Sequence, residues 1–120
     1  MGTELSIYKN NECVAYFCTS SDMFDAFGVL RLDEEKKEIT RSDLQLVKAE
    51  IYDNITLLND AISNDEYRLK YCTEEDKYGL IENVIEMKER VKDYGVYLNY
   101  LTFLDNMLIE SEDKLYGVVG

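Results

Sequence analysis

The chain contains no histidine, no tryptophan and no proline. Without histidine there is no imidazole base, no Ser/His or Cys/His nucleophile pair, and no His-containing zinc or di-iron carboxylate site. Most familiar hydrolase and metalloenzyme designs are thereby excluded. Glycine is sparse, with Gly28, Gly79, Gly95 and Gly117 scattered singly, so no glycine-rich phosphate loop exists. The acid spacings lack the alternating Asp/Asn and the glycine of a calcium loop. No uninterrupted apolar run approaches the roughly 20 residues of a membrane span, and Met1-Gly2-Thr3-Glu4 lacks the basic start of a secretion signal.

Positive charge is also in short supply. Twenty-five acids face 13 bases, a formal charge of -12. Such a chain repels free nucleic acid and anionic membranes, so a partner recruited through charge has to be basic. The vocabulary of Asn, Ile, Lys, Tyr, Asp and Glu is compatible with a low-GC bacterium or its phage. The three cysteines, Cys13, Cys18 and Cys72, are an odd number and fit a reducing compartment and a cytoplasmic location. The simplest reading makes them small apolar fillers. Cys13 and Cys18 stand five apart on a predicted strand, which would point them to opposite faces and rule out a local two-thiolate site.

At 120 residues and 46% apolar, the chain is sized for one domain that buries a core without metal or disulfide. Leu5-Ser6-Ile7-Tyr8-Lys9 and Cys13-Val14-Ala15-Tyr16-Phe17-Cys18 read as a β-hairpin about Asn10-Asn11-Glu12. Ser20-Ser21-Asp22 offers an N-cap for a helix of about two turns, with Gly28 placed for a left-handed C-terminal residue. Val29-Leu30-Arg31-Leu32 is a candidate third strand, with Ile39 beginning a return.

From Thr40 the period changes. Leu44, Val47, Ile51, Ile55, Leu58 and Ile62 recur at steps of three and four, predicting an amphipathic helix of five to six turns that Ser63-Asn64-Asp65-Glu66 can end. The segment 64–72 is open between helix, strand and loop. Thr73-Glu74-Glu75-Asp76 resembles a capping box. A second helix starts there, with the seam Leu80, Val84, Met87, Val91, Tyr94, Leu98, Leu101 and Leu108, and runs to about Ser111. Gly95 inside it costs on the order of 1 kcal/mol relative to alanine. The two helices pair as an antiparallel hairpin. Leu115-Tyr116-Gly117-Val118-Val119 is a loose tail or an edge strand.

The expected fold is therefore α+β and mostly helical. Residues 1–40 make a β-rich cap with a short helix, 41–112 a long αα-hairpin, and 113–120 the tail or edge strand, all in one domain.

One feature of the second helix points to function. At roughly 100° per residue from Leu80, Glu82, Glu86, Glu89 and Asp93 fall at about 200°, 240°, 180° and 220°, opposite the seam. Neighbours stand about 5 to 6 Å apart and mildly repel. Arg90 can pair with Glu86, while Lys88 and Lys92 project elsewhere. A solvated helix face is the plainer reading of this stripe. The functional one is a row of charge, about 16 Å long, that imitates a phosphate backbone or docks a basic groove. Beyond Gly95, Val96, Tyr97, Leu98, Tyr100, Leu101, Phe103, Leu104, Met107, Leu108 and Ile109 cover about 240° of the helix. One partner helix cannot bury that arc, so the sheet, another subunit or a target must cover the rest. Tyr97 and Tyr100 are candidate interface residues, since tyrosine joins an apolar ring to a polar tip.

The function expected is a non-enzymatic acidic protein-interaction module. In its sharper form it inhibits a nucleic-acid-binding protein, as anti-restriction or anti-CRISPR antagonists do, through Glu82, Glu86, Glu89, Asp93, Tyr97 and Tyr100. The alternative is a structural homo-oligomer assembled through the apolar second helix. An enzyme built from carboxylates, tyrosine or cysteine would need two or more acids in one deep pocket. No cofactor, metal site, direct nucleic-acid contact or membrane association is expected.

Overall fold

The computed structural model describes residues 3–110 and 114–120. Two tight local signals open the chain. Asn10 and Asn11 both adopt positive φ, 52° and 66°, which asparagine tolerates and a two-residue hairpin turn requires. They join β1 (Glu4–Lys9) to β2 (Glu12–Cys18). Ser21 then caps α1 (Asp22–Phe27), its hydroxyl accepting the Met23 N–H at 3.1 Å.

The expected strand at 29–32 is absent. Gly28 stays right-handed at φ -56° and opens a single 3₁₀ turn, Gly28–Leu30, while Arg31 takes the left-handed conformation. Phe27 and Leu30 are both buried, so the apolar side of α1 simply continues one turn further into the core. The third strand is β3 (Lys37–Ile39), and Ile39 ends it rather than beginning one.

Thr40 caps α2 (Arg41–Leu69) reciprocally. Its hydroxyl accepts the Asp43 N–H at 3.2 Å, and the Asp43 carboxylate accepts the Thr40 N–H at 2.8 Å. The 29 residues of α2 make about eight turns, more than the five to six expected, because the helix runs straight through Ser63–Glu66. Ser63 and Asn64 sit on the solvent side, where they compete little with the helix, and Ile62 and Leu69 keep the seam going. Tyr67, Leu69 and the undecided residues up to Leu69 are therefore helical.

At the tip, the Thr73 hydroxyl accepts the Asp76 N–H at 3.4 Å, as its capping role requires. From there α3 (Glu74–Glu110) runs unbroken for 37 residues through Gly95. Its expected last residue, Ser111, lies outside the described residues. A helix of that length spans about 55 Å, which accounts for the long dimension of the 58 × 33 × 19 Å molecule.

The C-terminal segment forms β4 (Leu115–Val119), and it is an interior strand rather than a tail or an edge. The antiparallel sheet has the order β2-β1-β4-β3. Glu4 and Gly120 exchange both backbone hydrogen bonds at 2.9 Å, closing the two chain ends on each other. At Gly117, opposite Ile7, a Cβ would come within 2.9 Å of the Cδ1 atoms of Ile39 and Leu32, so those two side-chain ends pack into the space that glycine leaves.

The inner sheet face supplies Leu5, Ile7, Ala15, Ile39 and Leu115 to one core with Met23, Ala26, Phe27, Leu44, Val47, Ile51, Tyr94, Leu101 and Leu104. Full burial of one such aliphatic side chain contributes about 1.5–3 kcal/mol. The observed fold is thus α+β, a four-stranded antiparallel sheet and a short helix packed on one end of a long helical hairpin.

Register shifts between Ile7 and Tyr8, leaving Val14 as an extra residue in β2. That bulge reverses the expected arrangement of the two cysteines. Cys13 lies opposite Tyr8 and Cys18 opposite Glu4, and positions 4, 6 and 8 share the outer face. Both thiols therefore lie on that face, and both are exposed. They stand about 13 Å apart at roughly 3.3 Å per residue, too far to share an ion. Among the described residues no group of three or more His, Cys, Asp and Glu side chains is placed to hold a metal. No helix among them is long and apolar enough to cross a membrane.

Candidate functional site

Glu82, Glu86, Glu89 and Asp93 are all exposed on α3, on the side turned away from the α2 seam residues Leu80, Val84 and Tyr94. Glu82, Glu86 and Glu89 precede the turn where α1 of the cap reaches the helix at Arg90, and Asp93 lies just after it. The cap packs on later turns of the same side of the helix, over Tyr97, Tyr100, Leu101 and Leu104. The carboxylate line therefore leads out from under the cap.

Two of the cations that flank it, Arg90 and Lys88, are engaged elsewhere. Arg90 does not pair with Glu86: it reaches across to Asp22 of α1, with Nη2 3.3 Å from Oδ1. The hydrogen bond to Asp22 raises the guanidinium pKa above its ordinary value. The reason for the change of partner is placement, since Arg90 falls at about 280° on the wheel, on the side where α1 packs. Lys88 lies on the opposite flank and bridges to Glu66 of α2 at 3.4 Å. Among the described residues, no Lys or Arg forms an ion pair with any of the four acids. Mutual repulsion at these spacings costs a few tenths of a kcal/mol per pair.

The two tyrosines are placed differently. Tyr97 is half-buried against the core, its ring edge-on to Tyr94 at 6.2 Å. Tyr100 is half-buried beneath β2, where its hydroxyl donates to the Val14 carbonyl at 3.0 Å and its ring meets Phe17 edge-on at 5.9 Å. The bulge at Val14 leaves that carbonyl on the free edge of the sheet, and Tyr100 satisfies it. Tyr100 thus latches the cap to α3. The structure leaves the four carboxylates in one exposed line and engages the Tyr100 hydroxyl with the Val14 carbonyl.

The wide apolar arc after Gly95 is covered mainly from within. Leu101 and Leu104 are fully buried, and Tyr97, Leu98, Tyr100, Met107 and Leu108 pack against the core. Val96, Phe103 and Ile109 remain more than half exposed, at 57%, 54% and 56%. Val96 and Phe103 continue a row begun by Tyr78 and Ile85, which are 73% and 52% exposed. The seam-centred sequence reading missed this row. Its signal was available, because the four residues fall within about 20° of one another on the wheel.

Concave features bear on the enzyme reading. One cavity of about 160 Å³ lies between α1 and the strand ends, lined by Leu5, Phe24, Phe27, Leu32 and Val119 among others. A second, at the hairpin tip, includes Tyr67, Tyr71, Cys72 and Asp76. A third, by the β1–β2 turn, includes Tyr8, Lys36 and Tyr116. Asp76 is the single carboxylate among the linings of these three, so none of them sets two acids face to face. The Cys18 thiol is held below the ordinary value by the Ser20 hydroxyl, 3.1 Å away, on an open strand face. Compared with known proteins, the chain matches no family model, no curated protein and no solved structure.

Proposed function

We propose that this protein is a non-enzymatic interaction module that binds a basic partner through the acidic face of α3, as an antagonist of a nucleic-acid-binding protein. The observation that carries this reading is the exposed line Glu82, Glu86, Glu89 and Asp93, with Arg90 and Lys88 drawn away to Asp22 and Glu66. Those two ion pairs take Arg90 and Lys88 from the line, and Lys92, three residues after Glu89, forms no ion pair with it among the described residues. Four charges along about 16 Å of axis are spaced at about 5.5 Å. A single nucleic-acid strand carries one charge per roughly 3.4 Å. The line is therefore a sparse imitation of a phosphate backbone, suited to a groove whose lysines and arginines can adjust to it. Attraction of this kind steers encounter and weakens steeply with salt.

The test is a pull-down from nuclease-treated lysate at low and high salt, with the wild-type chain and a variant carrying Glu82→Lys, Glu86→Lys, Glu89→Lys and Asp93→Lys. The wild type retains a basic, nucleic-acid-binding protein at low salt, and the variant loses it while keeping the same helix content by circular dichroism. Equal retention by both chains refutes the role of the stripe.

A further inference from the structure

We infer that the binding surface on α3 is amphipathic, and that its occupant is a basic amphipathic helix of the partner protein rather than a purely electrostatic groove. This rests on the acidic-face reading above and narrows it. Tyr78, Ile85, Val96 and Phe103, all more than half exposed, fall at about 160°, 140°, 160° and 140° on the wheel that places the acids at about 180° to 240°. Apolar row and carboxylate line thus run side by side along one helix, the row about 37 Å long. Steps of seven, eleven and seven residues keep the four on one line, as two heptad-spaced pairs, Tyr78 with Ile85 and Val96 with Phe103, separated by about 16 Å.

Charge selects the occupant. A second copy of this chain would bring its own carboxylate line and a further formal charge of -12 to the same surface, so like charge would oppose it. A helix with an apolar stripe edged by Lys or Arg would meet both features at once. The two flanks of the row differ as well. The acids lie on one side, whereas Lys88 and Lys92 lie on the other, with Lys88 bridged to Glu66. The partner's basic residues therefore belong on one flank of its stripe, which fixes the direction in which it lies. A bare phosphate mimic needs no apolar row beside its charges.

The experiment uses two 18-residue probe peptides of identical Leu/Lys composition. In one the leucines form a single helical stripe, and in the other they are distributed around the helix. Binding is read by fluorescence anisotropy at low and high salt. Against the wild-type chain, the striped peptide binds at least tenfold tighter than the distributed one, and this preference persists at high salt, where the charge attraction is screened. A variant carrying Ile85→Ser, Val96→Ser and Phe103→Ser loses that preference, with unchanged circular dichroism. Equal binding of the two peptides, no binding of the striped one, or a preference that survives the triple substitution overturns the inference. The lysine-reversal variant separates the two levels. If it abolishes peptide binding while the serine variant changes nothing, the acidic-face reading stands and the amphipathic one falls. If it changes nothing, the acidic-face reading itself fails.

Discussion

The turns of α3 on either side of Tyr94 meet different packing problems. Beyond Tyr94 the helix is covered on two sides, by α2 and by the β-rich cap, and Leu101 and Leu104 reach 0% exposure together with Leu44, Val47 and Ile51 of α2. Before Tyr94 the helix packs on α2, and α1 meets it at the Arg90–Asp22 ion pair. Leu80, Val84 and Ile62 still reach 6–7% exposure, yet they lie outside the main core and make a single seam. A two-helix seam buries one stripe of each helix and leaves the rest of both surfaces to water. The capped half therefore holds the main core, and the bare half leaves more of its surface to solvent. The carboxylate line lies on the bare half, and only Val96 and Phe103 of the apolar row extend past Tyr94.

The sharpest way to break this comparison uses one chemical change at two places. Leu101→Ala removes a fully buried side chain from the shared core and is expected at the upper end of the 2–5 kcal/mol typical of such truncations. Leu80→Ala makes the same change in the bare seam and is expected at or below the lower end, because the site can collapse or admit water. Chemical denaturation of both variants measures the difference, and equal losses would mean that the two halves form one core. The next effect concerns the latch. Tyr100→Phe leaves the ring packing on Phe17 but strands the Val14 carbonyl, a loss of about 1 kcal/mol. Hydrogen exchange should then rise in β2 and remain unchanged in residues 58–91, whereas faster exchange across the whole helical hairpin would deny Tyr100 a local role. The smallest effect is a gain. A Cβ at Gly95 meets nothing within 4 Å, so Gly95→Ala should stabilise the chain by up to about 1 kcal/mol, read as a rise in Tm. A fall would show that α3 needs freedom at the junction between its two halves.

Much of this division was legible in the residues. The step of three and four from Leu44 to Ile62 and from Leu80 to Leu101 marked both seams, Thr40 and Thr73 marked the helix starts, and Asn10-Asn11 marked the hairpin. The acids of the stripe followed from their angles alone, and their exposure agrees with that geometry. The failures have local causes too. Ser63-Asn64 resembles a helix stop, but α2 continues past it with Ile62 and Leu69 packed along the seam with α3. The extra residue at Val14 exchanges the faces of β2, and nothing in its own sequence announces a bulge. Arg90 had an acid four residues before it and took one on another element.

What the sequence determined by itself is whatever depends on neighbours within a turn or two: helical period, caps, the asparagine turn, the sign of the charge and its alignment along α3. Tertiary structure decided what brings distant residues together. It placed β4, from the far end of the chain, between β1 and β3, made Tyr100 a latch on the bulged edge of β2, and divided α3 into a capped half and a bare one. The physical reason is range. A helix hydrogen-bonds to itself and carries its pattern in consecutive residues, whereas a strand takes its partners from wherever the shared core brings them.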